Sequence, residues 1–206
     1  MAHAAVAHGI EDVMQPPVER ESGAGVYNEK LGMWVFLGSE VMFFTALIGS
    51  YLILRFAHPE AWKPPGVVLN IPVTAVNTFL LICSSVTMVK AFAAAQDGFL
   101  NHMKWWLLAT AIIGASFVGV QGYEYTHLIE KGFIPSEGIY GSTFYTMTGF
   151  HGFHVTVGVI CMTFVTIKAF LGKYTQTDHR GVEVIGLYWH FVDLVWIILF
   201  TIVYLI

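Results

Sequence analysis

Charge is what this sequence has least of. Its 206 residues include 10 Lys or Arg and 14 Asp or Glu, 12% of the chain, where a soluble domain carries about 25%. A chain so poor in charge cannot coat a globule with water-facing groups, which excludes an ordinary soluble domain. The net charge of −4 offers no basic surface, and no nucleic-acid partner is expected. Cysteine is equally sparse: Cys83 and Cys161 each lie inside an apolar run, with no partner at a metal-binding or redox spacing. That excludes a disulfide framework and leaves both as small apolar packing residues. No HExxH or similar zinc pattern occurs, no internal repeat is detectable, and residues 1–29 lack an apolar core of signal-peptide length.

What the chain does have is apolar length. Hydrophobic residues make up 56% of it and the mean hydropathy is +0.65. The charges gather in short breaks between blocks long enough to cross a hydrocarbon core, which takes roughly 20 residues as helix. Backbone groups in lipid must bond within their own segment or within a closed barrel, and no alternating ten-residue pattern suggests a barrel. The pattern predicts an all-α, polytopic membrane protein, a bundle of five transmembrane helices over 30–56, 72–95, 103–127, 140–170 and 182–204. Pro59, Pro64, Pro65 and Pro135 fall in the connections. The fourth block exceeds what a bilayer requires and is expected to tilt or to extend beyond it. Two regions follow: a loosely ordered cytoplasmic tail over 1–29 and a transmembrane domain over 30–206. Arg20, Lys30, Lys90, Lys104, Lys168, Lys173 and Arg180 fall on the N-terminal side, against Arg55, Lys63 and Lys131 on the other. By the positive-inside rule the N-terminus is cytoplasmic, and with five spans the C-terminus is outside.

The informative residues are the ionisable ones inside the spans, because each must face protein, water or a headgroup. Glu40 sits about ten residues into the first span, roughly 15 Å along the axis and near the membrane middle. It has no cation nearby in its own helix, so burial in lipid is expected to keep it uncharged unless another helix supplies a partner. Near the outer end of the third span Glu124 lies three residues from both Gln121 and His127, sharing a face with each. In the fifth span His190 lies three before Asp193, where an imidazole and a carboxylate are able to meet within one helix. His151 and His154 are one turn apart in the fourth span, flanked by Gly149 and Gly152. Spacing leaves three roles open for them: haem or metal ligation, a proton relay, or interhelical bonding with glycines permitting close approach. Asn77, Ser84, Ser85 and Thr87 in the second span, and Ala115 with Gly119 in the third, read as packing features. Trp34, Trp62, Trp105 and Trp106 lie near span ends, as interfacial anchors do.

Five stretches together resemble one family: GMWVFLGSEVMFF, NTFLLICSSVTMVKA, GYEY, YGSTFYTMTGFHGFHV and YWHFVDLVWIILFTIVY, one from each span. The chain is similar to subunit III of the haem-copper terminal oxidases in its five-helix form, from about Lys30 to the C-terminus. Seven-helix members have two further N-terminal helices, and the resemblance implies that an extended catalytic subunit supplies that pair in five-helix forms. It also implies a chain with no catalytic residue, no metal site and no redox centre of its own. Haem and copper then lie in partner subunits, and phospholipid is bound. Glu40 corresponds to the family's SE motif and His151 and His154 to its TGFHGxH motif, where neither histidine binds redox metal.

The expectation is therefore a non-catalytic subunit of an aerobic respiratory oxidase in a bacterial cytoplasmic membrane. Its partners are subunit I, subunit II and membrane lipids, with a respiratory supercomplex as a further candidate. The GSE and YWHFVDLVW runs favour cytochrome c oxidase over quinol oxidase. Glu124, His127, His151, His154, His190 and Asp193 are expected to make lipid or interhelical polar contacts, with Glu40 as the intramembrane carboxylate. Two readings from other classes stand beside this one: a haem-binding redox subunit using His151, His154 and His190, and a proton-coupled transporter with Glu40 as carrier. The absence of inverted repeats weighs against the second.

Overall fold

A computed structural model describes residues 27–62, 69–136 and 138–205. Most of the expected tail and Lys63, Pro64 and Pro65 of the first connection lie outside the described residues. Among the described residues there are five long helices and no strand. They are α1 (Asn28–Ala57), α2 (Ile71–Gln96), α3 (Leu100–Glu130), α4 (Ile139–Phe170) and α5 (Arg180–Phe200), the last continuing as a π-helical turn over Thr201–Leu205. A single 3₁₀ turn, Pro59–Ala61, follows α1. All five are long and apolar enough to cross a membrane. Each contains its predicted span and overruns it by a few residues at one or both ends, because hydropathy marks the lipid-facing part of a helix and not its last turns.

Local chemistry sets the ends. Pro72 stands in the first turn of α2, where its missing N–H costs no helical bond. Gly132 and Gly172 adopt φ of +82° and +70° directly after α3 and α4. That left-handed step lets Phe133 N–H reach Leu128 O at 3.0 Å and Lys173 N–H reach Lys168 O at 3.0 Å, closing otherwise open carbonyls. On exposed faces hydroxyls fold back onto their own helix: Ser39 donates to Phe36 O, Ser50 to Ala46 O and Thr163 to Val159 O, at 2.6–2.8 Å. A hydroxyl so bonded is tolerated against lipid.

α2 packs along α3, and α3 along α4. α5 is the hub, touching α1, α2 and α4, whereas α1 rests on α5 and α4. The core around the hub holds Trp189, Trp196, Phe117, Phe144, Met88 and Leu107, all 2% exposed or less. Trp189 fits only because α3 and α4 carry glycine opposite it. A Cβ on Gly114 would lie 2.5 Å from the indole, and one on Gly158 would lie 3.1 Å from it. This is close approach through small residues, the usual basis of helix association in lipid.

One polar column runs through the bundle. On α2, Asn77 Nδ2 donates to Phe117 O of α3 at 3.3 Å, and Thr87 bonds Thr110 of α3 at 2.7 Å. Toward α5, Thr78 and Ser84 each accept an indole N–H at 2.9 Å, from Trp196 and Trp189. Asn77 and Ser84 are seven positions apart, two turns along one line, and Thr78 and Thr87 flank that line on either side, so one side of α2 meets both neighbours.

Candidate functional site

The polar residues of α4 divide between two faces. His151 turns into the core and is fully buried, its ring stacked on Trp196 with centroids 4.7 Å apart and flanked by Phe117 at 6.2 Å. Its Nε2 lies 3.1 Å from Val192 O of α5. A carbonyl oxygen only accepts, so Nε2 carries the hydrogen and Nδ1, which has no hydrogen-bond partner among the described residues, is bare. His151 is thus a neutral cross-link between α4 and α5. Thr148 on the same turn ties α4 to α3, bonding Tyr125 OH at 2.7 Å while its carbonyl accepts from Gln121 Nε2 at 3.1 Å.

His154, one turn on, meets α1. Its Nε2 is 3.1 Å from Oε2 of Glu40, with side-chain exposures of only 13% and 16%. The partner that Glu40 lacks in its own helix comes from α4. His154 Nδ1 bonds Phe150 O at 2.7 Å and so carries a hydrogen. Nε2 and Glu40 then need one proton between them, either on the carboxyl or on the imidazole. Both forms leave the pair without net charge, which is what a low-dielectric seam requires. Phe43, Phe44 and Phe153 pack around the imidazole, the nearest ring centroid at 5.1 Å. Tyr188 OH of α5 donates to the backbone oxygen of His154 at 2.9 Å, so α1, α4 and α5 meet at this residue.

The other expected residues are placed differently from their sequence neighbours' suggestion. Asp193 is buried between α5 and α2, where Oδ2 accepts from Ser85 at 2.6 Å and Oδ1 has no hydrogen-bond partner among the described residues. His190 shares that side of α5 and is a charged neighbour of the carboxylate, but makes no hydrogen bond to it and no ion pair with it, because Asp193 turns toward α2 and bonds Ser85. Glu124 accepts from Thr74 of α2 at 2.5 Å, while His127 faces outward, 3.7 Å from Glu130 and stacked on Tyr123. The structure therefore brings together Glu40 with His154, Asp193 with Ser85 and Glu124 with Thr74. It does not join His190 to Asp193 or His127 to Glu124.

Sequence reasoning missed a clasp at the helix ends. Lys30 Nζ and Tyr27 OH both bond the Glu183 carboxylate in the first turn of α5, and Arg180 lies over the Tyr27 ring at 5.4 Å. Burial first, and then the hydrogen bond to Glu183, raise the pKa of the Tyr27 hydroxyl above its ordinary value, keeping it a donor. Roughly 150 positions separate the partners, and neither sits at a spacing that signals the other. At the opposite end Arg55 Nη1 donates to Ile202 O at 3.2 Å, within the π-helical turn.

Chemically the arrangement binds helices to one another. Among the described residues no three His, Cys, Asp or Glu side chains converge as a metal-holding group. Both nitrogens of His154 are engaged, and the ring of His151 is enclosed by aromatic side chains.

The model of one family, cytochrome c oxidase subunit III, matches residues 22–206. The chain is 39% identical over 174 residues to a probable cytochrome c oxidase subunit 3 of Nocardia farcinica, covering 84% of this chain and 86% of that one. It is 40% identical over 176 residues to cytochrome c oxidase subunit 3 of Thermostichus vulcanus, covering 85% and 86%. Against the subunit 3 of Marchantia polymorpha it is 38% identical over 181 residues, 85% of this chain and 67% of the relative. Five membrane-length apolar helices, with polar residues spent on joining them, agree with that match, and the chain belongs to the cytochrome c oxidase subunit III family.

Proposed function

We propose that this chain is a non-catalytic subunit of an aerobic respiratory oxidase of the cytochrome c branch, packed on catalytic subunit I with subunit II in the same complex. Haem and copper lie in those partners. The chain sits in a bacterial cytoplasmic membrane with its N-terminus inside, as the Lys and Arg bias favours. Its contribution is to hold lipid and a stiff helix bundle against the catalytic subunit, supporting proton uptake and the lifetime of the oxygen-reducing centre, and a respiratory supercomplex is the larger assembly it would join.

The observation that carries this reading is the Glu40–His154 pair. The intramembrane carboxyl of α1 and an imidazole of α4 are consumed by each other at a three-helix seam, so neither is offered to a cofactor or a transported ion. A reduced-minus-oxidised visible spectrum tests it, taken on the tagged chain after mild-detergent purification and again after its partners are stripped. Haem that enters with the complex and leaves with a larger partner is the expected result. Haem that stays with the stripped chain would make its histidines ligands and overturn the reading.

A further inference from the structure

α5 meets α2 through Gly186, Trp189, Asp193 and Trp196, and meets α1 through Tyr188 and Phe191. Between those two sectors of the helix, at 100° per residue, lies a third containing Leu187, His190, Leu194, Ile197 and Ile198. It opens outward between α1 and α2, with Leu194 57% and Ile197 38% exposed. His190 stands on the side of this strip nearer α2, half-buried, with the Asp193 carboxylate as a charged neighbour and neither ring nitrogen hydrogen-bonded among the described residues. Among the described residues it is the one intramembrane imidazole so placed: His151 and His154 are both bonded to protein.

Depth decides what covers it. The helical run Arg180–Leu205 has 26 residues, about 39 Å, against a hydrocarbon core of about 30 Å. His190 is ten residues from its start, so about 10 Å inside the core when the helix is centred. A phospholipid headgroup does not reach that depth, acyl chains offer no hydrogen bond, and a histidine is too short to snorkel out.

We infer that the strip of α5 between α1 and α2 is the docking surface for a transmembrane helix of a partner subunit, one that presents a hydroxyl, amide or carbonyl group to His190 at mid-membrane. The inference rests on the proposed membership of an oxidase complex and names the face that membership uses. Close packing on a strip flanked by two helices buries the partner on three sides, and the imidazole supplies one donor and one acceptor that fix its register.

The test uses the complex purified in mild detergent. Leu194, in the strip, and Ile112, exposed on the outer face of α3, are replaced one at a time by photoreactive p-benzoylphenylalanine and irradiated. Leu194 is expected to join one other membrane subunit, in a helix that mass spectrometry identifies as carrying a hydrogen-bonding group at that depth, and Ile112 to join lipid. His190→Leu is expected to lower the fraction of chain retained in the complex about threefold, the worth of one interhelical hydrogen bond, and His190→Gln to restore it. Lipid adducts alone at Leu194, or equal retention of both His190 variants, would overturn the inference. Failure of the complex reading itself would show earlier, as a wild-type chain that brings no haem-bearing partner through purification.

Discussion

α1 and α5 are both long, apolar and membrane-spanning, yet they are held in place by different means. Of the most apolar 18 residues of α1 only 11% are buried, against 50% for α5. α1 buries a single line, Leu37, Phe44 and Tyr51, seven residues apart, which is the narrow seam of a helix touching its neighbours along one edge. α5 is surrounded and buries Val182, Trp189, Val192, Trp196 and Leu199 on several sides. In lipid the exposed apolar face of α1 gains nothing by association, so contact area alone holds it weakly. It is pinned instead by polar contacts at three depths: Lys30 with Glu183, Glu40 with His154, and Arg55 with Ile202 O. A helix with little packing uses hydrogen bonds, and a helix with much packing uses shape.

The largest effect should come from breaking shape at the hub. Trp189→Ala removes a side chain 1% exposed, empties the notch beside Gly114 and Gly158, and leaves Ser84 without its indole donor. A loss of about 3–5 kcal/mol is expected, as for a buried Trp elsewhere. Detergent-unfolding titration followed by tryptophan fluorescence, with α1 and α5 reported separately by hydrogen exchange, should show both helices losing protection together. Loss confined to α1 would mean that α5 is not the hub.

Breaking the middle pin should act on α1 alone. Glu40→Leu strands the Nε2 of His154 in an apolar seam, at an expected cost of about 1–3 kcal/mol. Glu40→Gln should be milder, because the amide supplies a donor to the bare Nε2 where the carboxyl shares its proton. Hydrogen exchange of α1 amides measures both: opening of α1 with α5 protected is expected in the leucine variant and near-native protection in the glutamine variant. Equal exposure in the two would contradict the single shared proton.

The same contrast explains what was legible in the sequence. Helix number and span followed from apolar length, since lipid leaves the backbone no alternative. That Glu40 must either stay uncharged or find a partner on another helix was legible for the same reason. Which helix supplies it was not, because the distance from 40 to 154 is a property of how the helices are arranged. A near neighbour was legible and a distant bond was not: His190 and Asp193 are electrostatic neighbours one turn apart, yet the hydrogen bond of Asp193 goes to Ser85, 108 positions away. Nothing at Gly114 or Gly158 in the sequence points to Trp189, because that contact exists only once α5 is packed against α3 and α4.

The end clasp offers a smaller test. Lys30→Met removes one of two donors to Glu183 and leaves Tyr27 OH in place. The pair is partly exposed at the membrane surface, so about 0.5–1 kcal/mol is expected, and less at high salt. Exchange should rise in the first turn of α1 and fall away before Glu40, since the middle pin is intact.

The smallest effect belongs to the hub's own polar contacts. Ser85→Ala takes the hydroxyl from Asp193, and an interhelical hydrogen bond in a membrane bundle is worth about 0.6 kcal/mol. That value is low because a helix separated in lipid finds other partners, and α5 keeps Trp189, Trp196 and its glycine notches whatever Asp193 does. A double-mutant cycle of Ser85→Ala with Asp193→Asn, read by detergent unfolding, measures the coupling directly. A coupling well above 1 kcal/mol would place α5 with α1, as a helix held by pins, and erase the distinction between the two.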